Sequence, residues 1–385
     1  MRKIPCALFR GGTSKGVVFR AEDLPPAGDE RDRVLLRLMG SPDLRQIDGL
    51  GGANSLTSKV AVLSRSERED ADLDYDLGQV LLDRPEVAWN GTCGNLASAA
   101  GLFALEEGLV RSRAPATTVR LYSLNVRQCI HVTVPVTEGR PVCEGDFRIP
   151  GVPFPGSRIV VEFCDPVGGI TGSMLPTGQV RERVILPDGR VFDVSVVDAG
   201  LPMVFLLAEN LGLRGDELPG EIEARPEILE TLETVRKVLC GRIAEHTGMT
   251  SMLTAPDVPK IGFFARSAAY RTAEGKIVEA DEVDFLGRAA SMQKMHRAYM
   301  VSGAVCTAAA AVIPGTVVNE LLGTFPEGSQ KVLRLGQPYG AMNLHITEEN
   351  GRIAKIGVER SARRLMDGHV YVPEDGKGGG EPCLR

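Results

Sequence analysis

Cys93 stands between glycine-rich turn residues and the run Gly94-Asn95-Leu96-Ala97-Ser98-Ala99-Ala100-Gly101-Leu102-Phe103-Ala104-Leu105, which is small or apolar on nearly every side. Such a run predicts a helix buried all round, with only its N-terminus reaching a cavity. There a cysteine meets unpaired backbone N–H groups and the positive end of the helix dipole, which favour a thiolate or a carboxylate bound beside it. The plainer alternative is a cysteine that fills space, since free cysteine is among the most buried residue types. Lys59 ends the polar loop that starts at Asp48 and opens an apolar strand, Val60 to Leu63. Desolvation at such a junction lowers an amine pKa towards the range of a general base. A strand-end lysine with a buried stem and a solvated amine is the alternative. A third stretch, Arg10-Gly11-Gly12-Thr13-Ser14-Lys15-Gly16, places hydroxyls and cations on a glycine-rich turn. It suits close backbone approach to an anion, and equally a tight hairpin whose basic residues face solvent.

The elements that would position these residues follow from patterning. Residues 3–9 and 17–19 read as strands on either side of the glycine-rich turn, and Asp29 to Met39 as an amphipathic helix closed by Gly40. Further strands are expected at Asp74 to Leu82, within Thr117 to Val136, and at Ile159 to Phe163. Gly168 to Gly178 reads as a turn region that lines a cleft and closes a first domain. The second half repeats this grammar: a strand at Val194 to Val197, a long helix from Pro226 to Glu245, and another nearly all-apolar helix, Ser302 to Ile313. Two such helices imply a duplicated domain, and their N-termini could offer two anion-binding ends to a polycarboxylate. Cys306 falls inside the second helix and reads as structural. Strands at Val332 to Leu335, Met342 to Ile346 and Ile353 to Val358 follow; Arg360 to Gly368 then reads as a basic turn before a last strand, His369 to Val372, and the tail from Pro373 as disordered.

At 385 residues the chain calls for two domains, placed at 1–182 and 183–385 with the final strand able to return to the first. A net charge of −6 without Lys/Arg runs beyond a pair leaves no footprint for nucleic acid or an anionic membrane, so an anionic ligand must be held by local geometry. The eight cysteines lack Cys-x-x-Cys spacing and read as reduced thiols of a cytoplasmic protein; the first residues lack a signal peptide's apolar run. Five scattered histidines give no metal-ligand spacing. Gly12-Thr13-Ser14-Lys15-Gly16 fits the letters of a nucleophile elbow, but a strand follows where the elbow needs a helix. No dinucleotide fingerprint follows a strand. The expectation is a site without cofactor or metal: a thiol, a lysine and anion-holding amides, suited to abstracting a proton next to a carboxylate-stabilised carbanion and returning it elsewhere.

Taken together, Arg10 to Gly16, Gly40-Ser41-Pro42-Asp43, Gln46-Ile47-Asp48-Gly49, Gly51-Gly52-Ala53, Leu56-Thr57-Ser58-Lys59, Cys93-Gly94-Asn95, Leu175-Pro176-Thr177-Gly178 and Arg360-Ser361-Ala362-Arg363 resemble the PrpF family of aconitate-type isomerases along nearly the whole chain. The resemblance implies an α/β (α+β) fold of the diaminopimelate-epimerase type, with two similar domains, each a curved, mostly antiparallel sheet around a central buried helix, and the active site in the interdomain cleft. It implies Lys59 as catalytic base and Cys93 beside the substrate. Val305 falls nearest the second thiol position of two-cysteine racemases, which disfavours that chemistry. The family usually has Asn immediately before the cysteine, whereas here Thr92 takes that place and Asn90 stands two residues earlier.

The implied activity moves a proton across the allylic system of an unsaturated di- or tricarboxylate. 2-Methylaconitate cis-trans isomerisation comes first, with 4-oxalomesaconate tautomerisation or aconitate or methylitaconate isomerisation as alternatives. The small-molecule polycarboxylate is then expected against Arg10, Thr13, Ser14 and Lys15, the loop Gly52, Ala53, Asn54 and Ser55, and Asn90, Gly94 and Asn95 around the thiol. Thr177, Gly178, Ser302, Gly303 and Ala304 would complete the set from the second half. No nucleic acid or membrane partner is expected, and a homodimer is compatible with the family. Two other classes compete: a non-catalytic carboxylate-binding accessory protein and a cysteine hydrolase. The pairing of Lys59 with Cys93 argues against the first, and no histidine stands in a recognisable partner motif for Cys93.

Overall fold

Val17 to Phe19 and Val60 to Leu63 are continuous apolar runs rather than alternating ones, the pattern of strands covered on both faces. The computed structural model, which describes residues 1–89, 91–255, 258–323 and 328–373, places them centrally in one of two compact units. The first unit comprises Met1–Val161 joined by the chain from Arg360, and the second is Glu162–Glu359. The boundary expected at 182 therefore falls inside the second unit, and the final strand belongs with the first.

In the first unit β1 (Arg2–Gly11) turns back as β2 (Ser14–Arg20). Helix α1 (Asp29–Met39) crosses over to β3 (Lys59–Arg65), which lies parallel to β2, with Gly16 opposite Lys59 and Val18 opposite Ala61. Next comes β4 (Leu73–Val80), antiparallel to β3. Helix α2 (Gly94–Glu106) leads to Ala116–Ser123, which is parallel to β4, and Gln128–Thr137 returns beside it. Val17, Phe19, Val60 and Val62 pack towards α1 with Leu35, Leu38 and Met39. The alternate positions of β2 and β3 face α2, where small residues let the helix come close.

From Leu96 to Leu105 every residue of α2 is buried. Its fit is tight: a Cβ on Gly101 would stand 2.4 Å from Val132 Cγ1. The all-round apolar composition is thus matched by an all-round contact, against β1, β2, β3 and the strands that follow α2.

The second unit has the same succession of pairings. Val191–Asp198 pairs antiparallel with Pro202–Leu207, which lies parallel to Lys260–Arg266 across the long helix Pro226–Thr247. Lys260–Arg266 is antiparallel to Phe285–Ser291, which lies parallel to Gln330–Gln337 across the buried helix Val301–Val312, and Gly340–Glu349 returns. Lys260 thus opens its strand as Lys59 opens β3, and both strands show one burial pattern, four buried residues after a half-buried lysine.

Two departures concern strands. Arg360–Gly368, expected as a basic turn, is mostly sheet: Ala362–Val372 is one strand paired along the whole of β1, from Gly11 opposite Ala362 to Arg2 opposite Val372. Lys260–Arg266 and Phe285–Ser291 are strands for which the sequence pattern gave no expectation. Among the described residues no helix is long and apolar enough to cross a membrane. Most of the tail from Pro373 lies outside the described residues.

Candidate active site

β2 serves as the ruler of the site. Ser14 and Gly16 are two residues apart on its α2 face, about 7 Å along the strand. Ser14, 3% exposed, brings its Oγ to 3.9 Å from Cys93 Sγ. Gly16 lies in register with Lys59, and a Cβ there would fall 2.8 Å from the Lys59 carbonyl oxygen and 3.0 Å from Leu96 Cδ2. In-register residues of neighbouring strands share a face, so Lys59 projects on the α2 side, where Cys93 caps the helix.

The turn Arg10–Gly16 is a hairpin, and it seats on the N-terminus of α2. Cβ atoms on Gly11 and Gly12 would lie 2.2 Å from the Asn95 carbonyl oxygen and 2.1 Å from Asn95 Oδ1, and Gly12 has φ +50. Asn95 Nδ2 donates to Thr13 Oγ1 at 3.0 Å and to Ser14 Oγ at 3.4 Å. The Arg10 guanidinium donates to the carbonyls of Gly12 and Ser361 and to Ser361 Oγ, all within 3.1 Å. It clamps the hairpin to the start of the last strand, and burial, with Arg363 adding, lowers its pKa. Arg10 therefore shapes the turn with donors that were expected for the substrate.

Cys93 is the half-buried N-cap of α2, extended at φ −141, with no side-chain cap, so among the described residues the amides of the first turn keep their orphan donors. Its carbonyl accepts from Ala97 N at 2.8 Å and from the Tyr75 hydroxyl at 3.3 Å. Burial drives the Tyr75 phenol well above its ordinary pKa, so it remains a donor. Thr92 Oγ1, and Asn95 Oδ1 packed against Gly12, are buried without a hydrogen-bond partner among the described residues. Asn90 lies outside the described residues.

Lys59 Nζ donates to Gln79 Oε1 directly across on β4. The loop before it is internally bonded, and this corrects one expectation. The amides of Gly51, Gly52 and Ala53 donate to Met39 O, Thr57 O and Gln46 Oε1, so they are not open to a carboxylate. Asn54 and Ser55 form the exposed tip, where Asn54 Oδ1 accepts from Leu56 N at 2.9 Å. Lys15 flanks the same loop: its amide bonds Leu56 O at 2.9 Å, and its Nζ lies 3.3 Å from where a Gly52 Cβ would be. Sequence patterning gives no signal for Gln79 or Tyr75, since an isolated polar residue within a strand reads as a solvent-facing position.

The remaining expected contacts lie in the second unit. Gly178 has φ +73 and abuts the His246 ring, and Thr177 lines a cavity of about 700 Å³ with Arg181, Arg242 and His246. Ser302 and Gly303 belong to the first turn of Val301–Val312, but the Ala304 amide is already bonded to Met300 O at 2.9 Å and is no anion donor. Cys306 is fully buried with its thiol donating to Val197 O at 3.0 Å, and burial raises its pKa well above the ordinary value. Among the described residues no three His, Cys, Asp or Glu side chains gather as metal ligands would.

Comparison with known proteins gives this geometry its context. A crystal structure of methylitaconate-delta-isomerase superposes with a TM-score of 0.86 at 36% identity, over 96% of this chain and 95% of that one. The mixed α/β architecture is therefore that of an isomerase. The chain matches the PrpF protein family over residues 1–373 and belongs to it. It is 40% identical to a 2-methyl-aconitate isomerase of Shewanella oneidensis, over 97% of each chain. It is 39% identical to a 4-oxalomesaconate tautomerase of Pseudomonas putida, over 98% of this chain and 99% of that protein.

Proposed function

We propose that this isomerase shifts a proton across the allylic system of an unsaturated di- or tricarboxylate, with 2-methylaconitate as the preferred acid, Lys59 as base and Cys93 as the second proton-handling group. The observation that supports the reading is that Lys59 lies in register with Gly16 of β2, two residues from Ser14, whose hydroxyl stands 3.9 Å from the half-buried thiol at the N-terminus of α2. Buried polar atoms without partners cost about 1–3 kcal/mol each and are kept where a ligand satisfies them. Among the described residues Thr92 Oγ1, in the residue before Cys93, is one such atom and can donate to a carboxylate.

In the proposed reaction the Lys59 amine takes the proton from the carbon γ to a carboxylate. The C–H bond breaks, an N–H bond forms, and the electron pair spreads through the alkene into the carboxylate as a dienolate. Rotation or rebonding follows, and Lys59 or Cys93 returns a proton to carbon. The first-turn amides at Gly94 and Asn95 would stabilise the developing oxyanion; a preorganised donor of this kind is worth about 2.7–4 kcal/mol in acyl-transfer sites. No external oxidant or activated group is required by this balance.

The test is proton NMR of the purified chain with cis-aconitate, trans-aconitate, 2-methylaconitate, methylitaconate and 4-oxalomesaconate offered one at a time. Conversion of 2-methylaconitate at the highest kcat/KM supports the reading. Preference for 4-oxalomesaconate would move the assignment to a tautomerase with the same residues, and turnover of none would favour a carboxylate-binding role.

A further inference from the structure

Gln46 is 1% exposed, yet it sits in an irregular loop at φ 47, a left-handed conformation that side-chain-bearing residues rarely adopt. Such a conformation persists only where the surroundings hold it. Here they do: the carboxamide lies against Gly51 so closely that a Cβ there would fall 2.1 Å from Gln46 Cδ. Gln46 Nε2 donates to Ser41 Oγ at 3.1 Å and to Ser58 Oγ at 2.6 Å, and its Oε1 accepts from Ala53 N at 3.0 Å. Ser58, 0% exposed, gives its single hydroxyl proton to Val80 O at 2.8 Å. Its carbonyl accepts Gln79 Nε2 at 2.9 Å, and Gln79 Oε1 accepts Lys59 Nζ.

Counting protons fixes the sense of every link. Because Ser58 spends its proton on Val80 O, it must accept from Gln46, which turns Gln46 Oε1 to Ala53. Because the Ser58 carbonyl can only accept, Gln79 must turn its NH₂ to it and its Oε1 to Lys59. A buried network in which each member is satisfied in one sense only is rigid.

We infer that Gln46, Ser58 and Gln79 are positioning residues: a polar chain, buried at Gln46 and Ser58 and half-buried at Gln79, that aims the Lys59 amine and couples it to the Gly51–Ser55 loop. The inference deepens the reading of Lys59 as the base and rests on it for its catalytic meaning. The geometric claim stands by itself. Release of the loop at Ala53 loosens Gln46, then Ser58, then the acceptor on Lys59.

The experiment measures site-resolved acetylation rates of the folded chain by peptide mass spectrometry, without substrate, for Gln79→Met, Gln46→Met and Ser58→Ala, with Lys3 as internal reference. Lys59 is expected to react several-fold faster in all three, although Gln46 does not touch it, while Lys3 is unchanged. Wild-type Lys59 rates in both Gln46→Met and Ser58→Ala overturn the coupling. If Gln46→Met does not fold, Gln46→Glu, which keeps the shape but removes the donor to Ser58, replaces it with the same expectation. Kinetics supply the second readout: Gln79→Met should lower kcat by about 10²-fold with KM little changed, as misplacement of a catalytic group does. Wild-type kcat in Gln79→Met also overturns the inference. A wild-type chain inactive on every acid would sink the proposed function, while the acetylation rates still decide this proposal.

Discussion

Lys59 and Cys93 divide the proposed proton transfer between an amine at a strand start and a thiol at a helix start. Lys59→Ala should lower turnover by about 10²–10⁴-fold, the usual worth of a positioned acid or base, with the melting temperature unmoved; retained turnover would remove Lys59 from the chemistry. Cys93→Ala should cost less if one base handles both transfers. Gly12→Ala makes a steric prediction: with φ +50 and a Cβ 2.1 Å from Asn95 Oδ1, the variant should lose about 1–3 kcal/mol in urea melts and displace Asn95 from Ser14. Cys93 and Lys59 were legible because each sits where two patterns meet, a polar turn and an apolar run. Gln79 was not, because a glutamine's partner depends on strand register. Nor was the closure of the 51–53 amides, since bonds within a loop leave no periodic trace.

At the scale of elements, tight packing around the buried helices makes small changes costly. Gly101→Ala puts a methyl 2.4 Å from Val132 Cγ1 and should destabilise by about 1–3 kcal/mol by thermal melt. His296 adds a pH dependence. Burial, reinforced by Lys260, lowers its pKa from 6.5 to about 4. Between those values the unfolded chain binds the proton and the folded chain does not. Stability is thus fully present above pH 6.5 and falls towards pH 4 by up to about 1.4 kcal/mol per pH unit. Urea midpoints across that range should drop in the wild type and less steeply in His296→Gln; equal slopes would contradict a half-buried ring held neutral. The helices were legible because composition alone marks a helix apolar all round and an αL glycine marks an end, as Gly40 does for α1. The last strand was legible at His369 to Val372 but not at 362–368, because the basic residues there imitate a turn while the backbone pairs with β1. Lys260–Arg266 shares the burial pattern of β3, but Gly262 interrupts the apolar run that marks Val60 to Leu63.

Over the whole molecule the chain repeats one succession of strand pairings and places a lysine at the same point of each. The duplication is not chemical: Cys93 is a half-buried N-cap, and Cys306 is sealed inside its helix with its thiol on Val197 O. Alkylation of the folded protein should therefore modify Cys93 in step with inactivation and reach Cys306 only on unfolding, read by peptide mass spectrometry; early loss of Cys306 would restore a two-thiol reading. The measurement that bears most directly on the central claim is deuterium incorporation from heavy-water buffer into 2-methylaconitate, followed by NMR for the wild type and for Lys59→Ala. Deuterium at the γ carbon in the wild type, and none with the variant although it still binds the acid, is the predicted result. Isomerisation without exchange at that carbon, or equal exchange by Lys59→Ala, would contradict it.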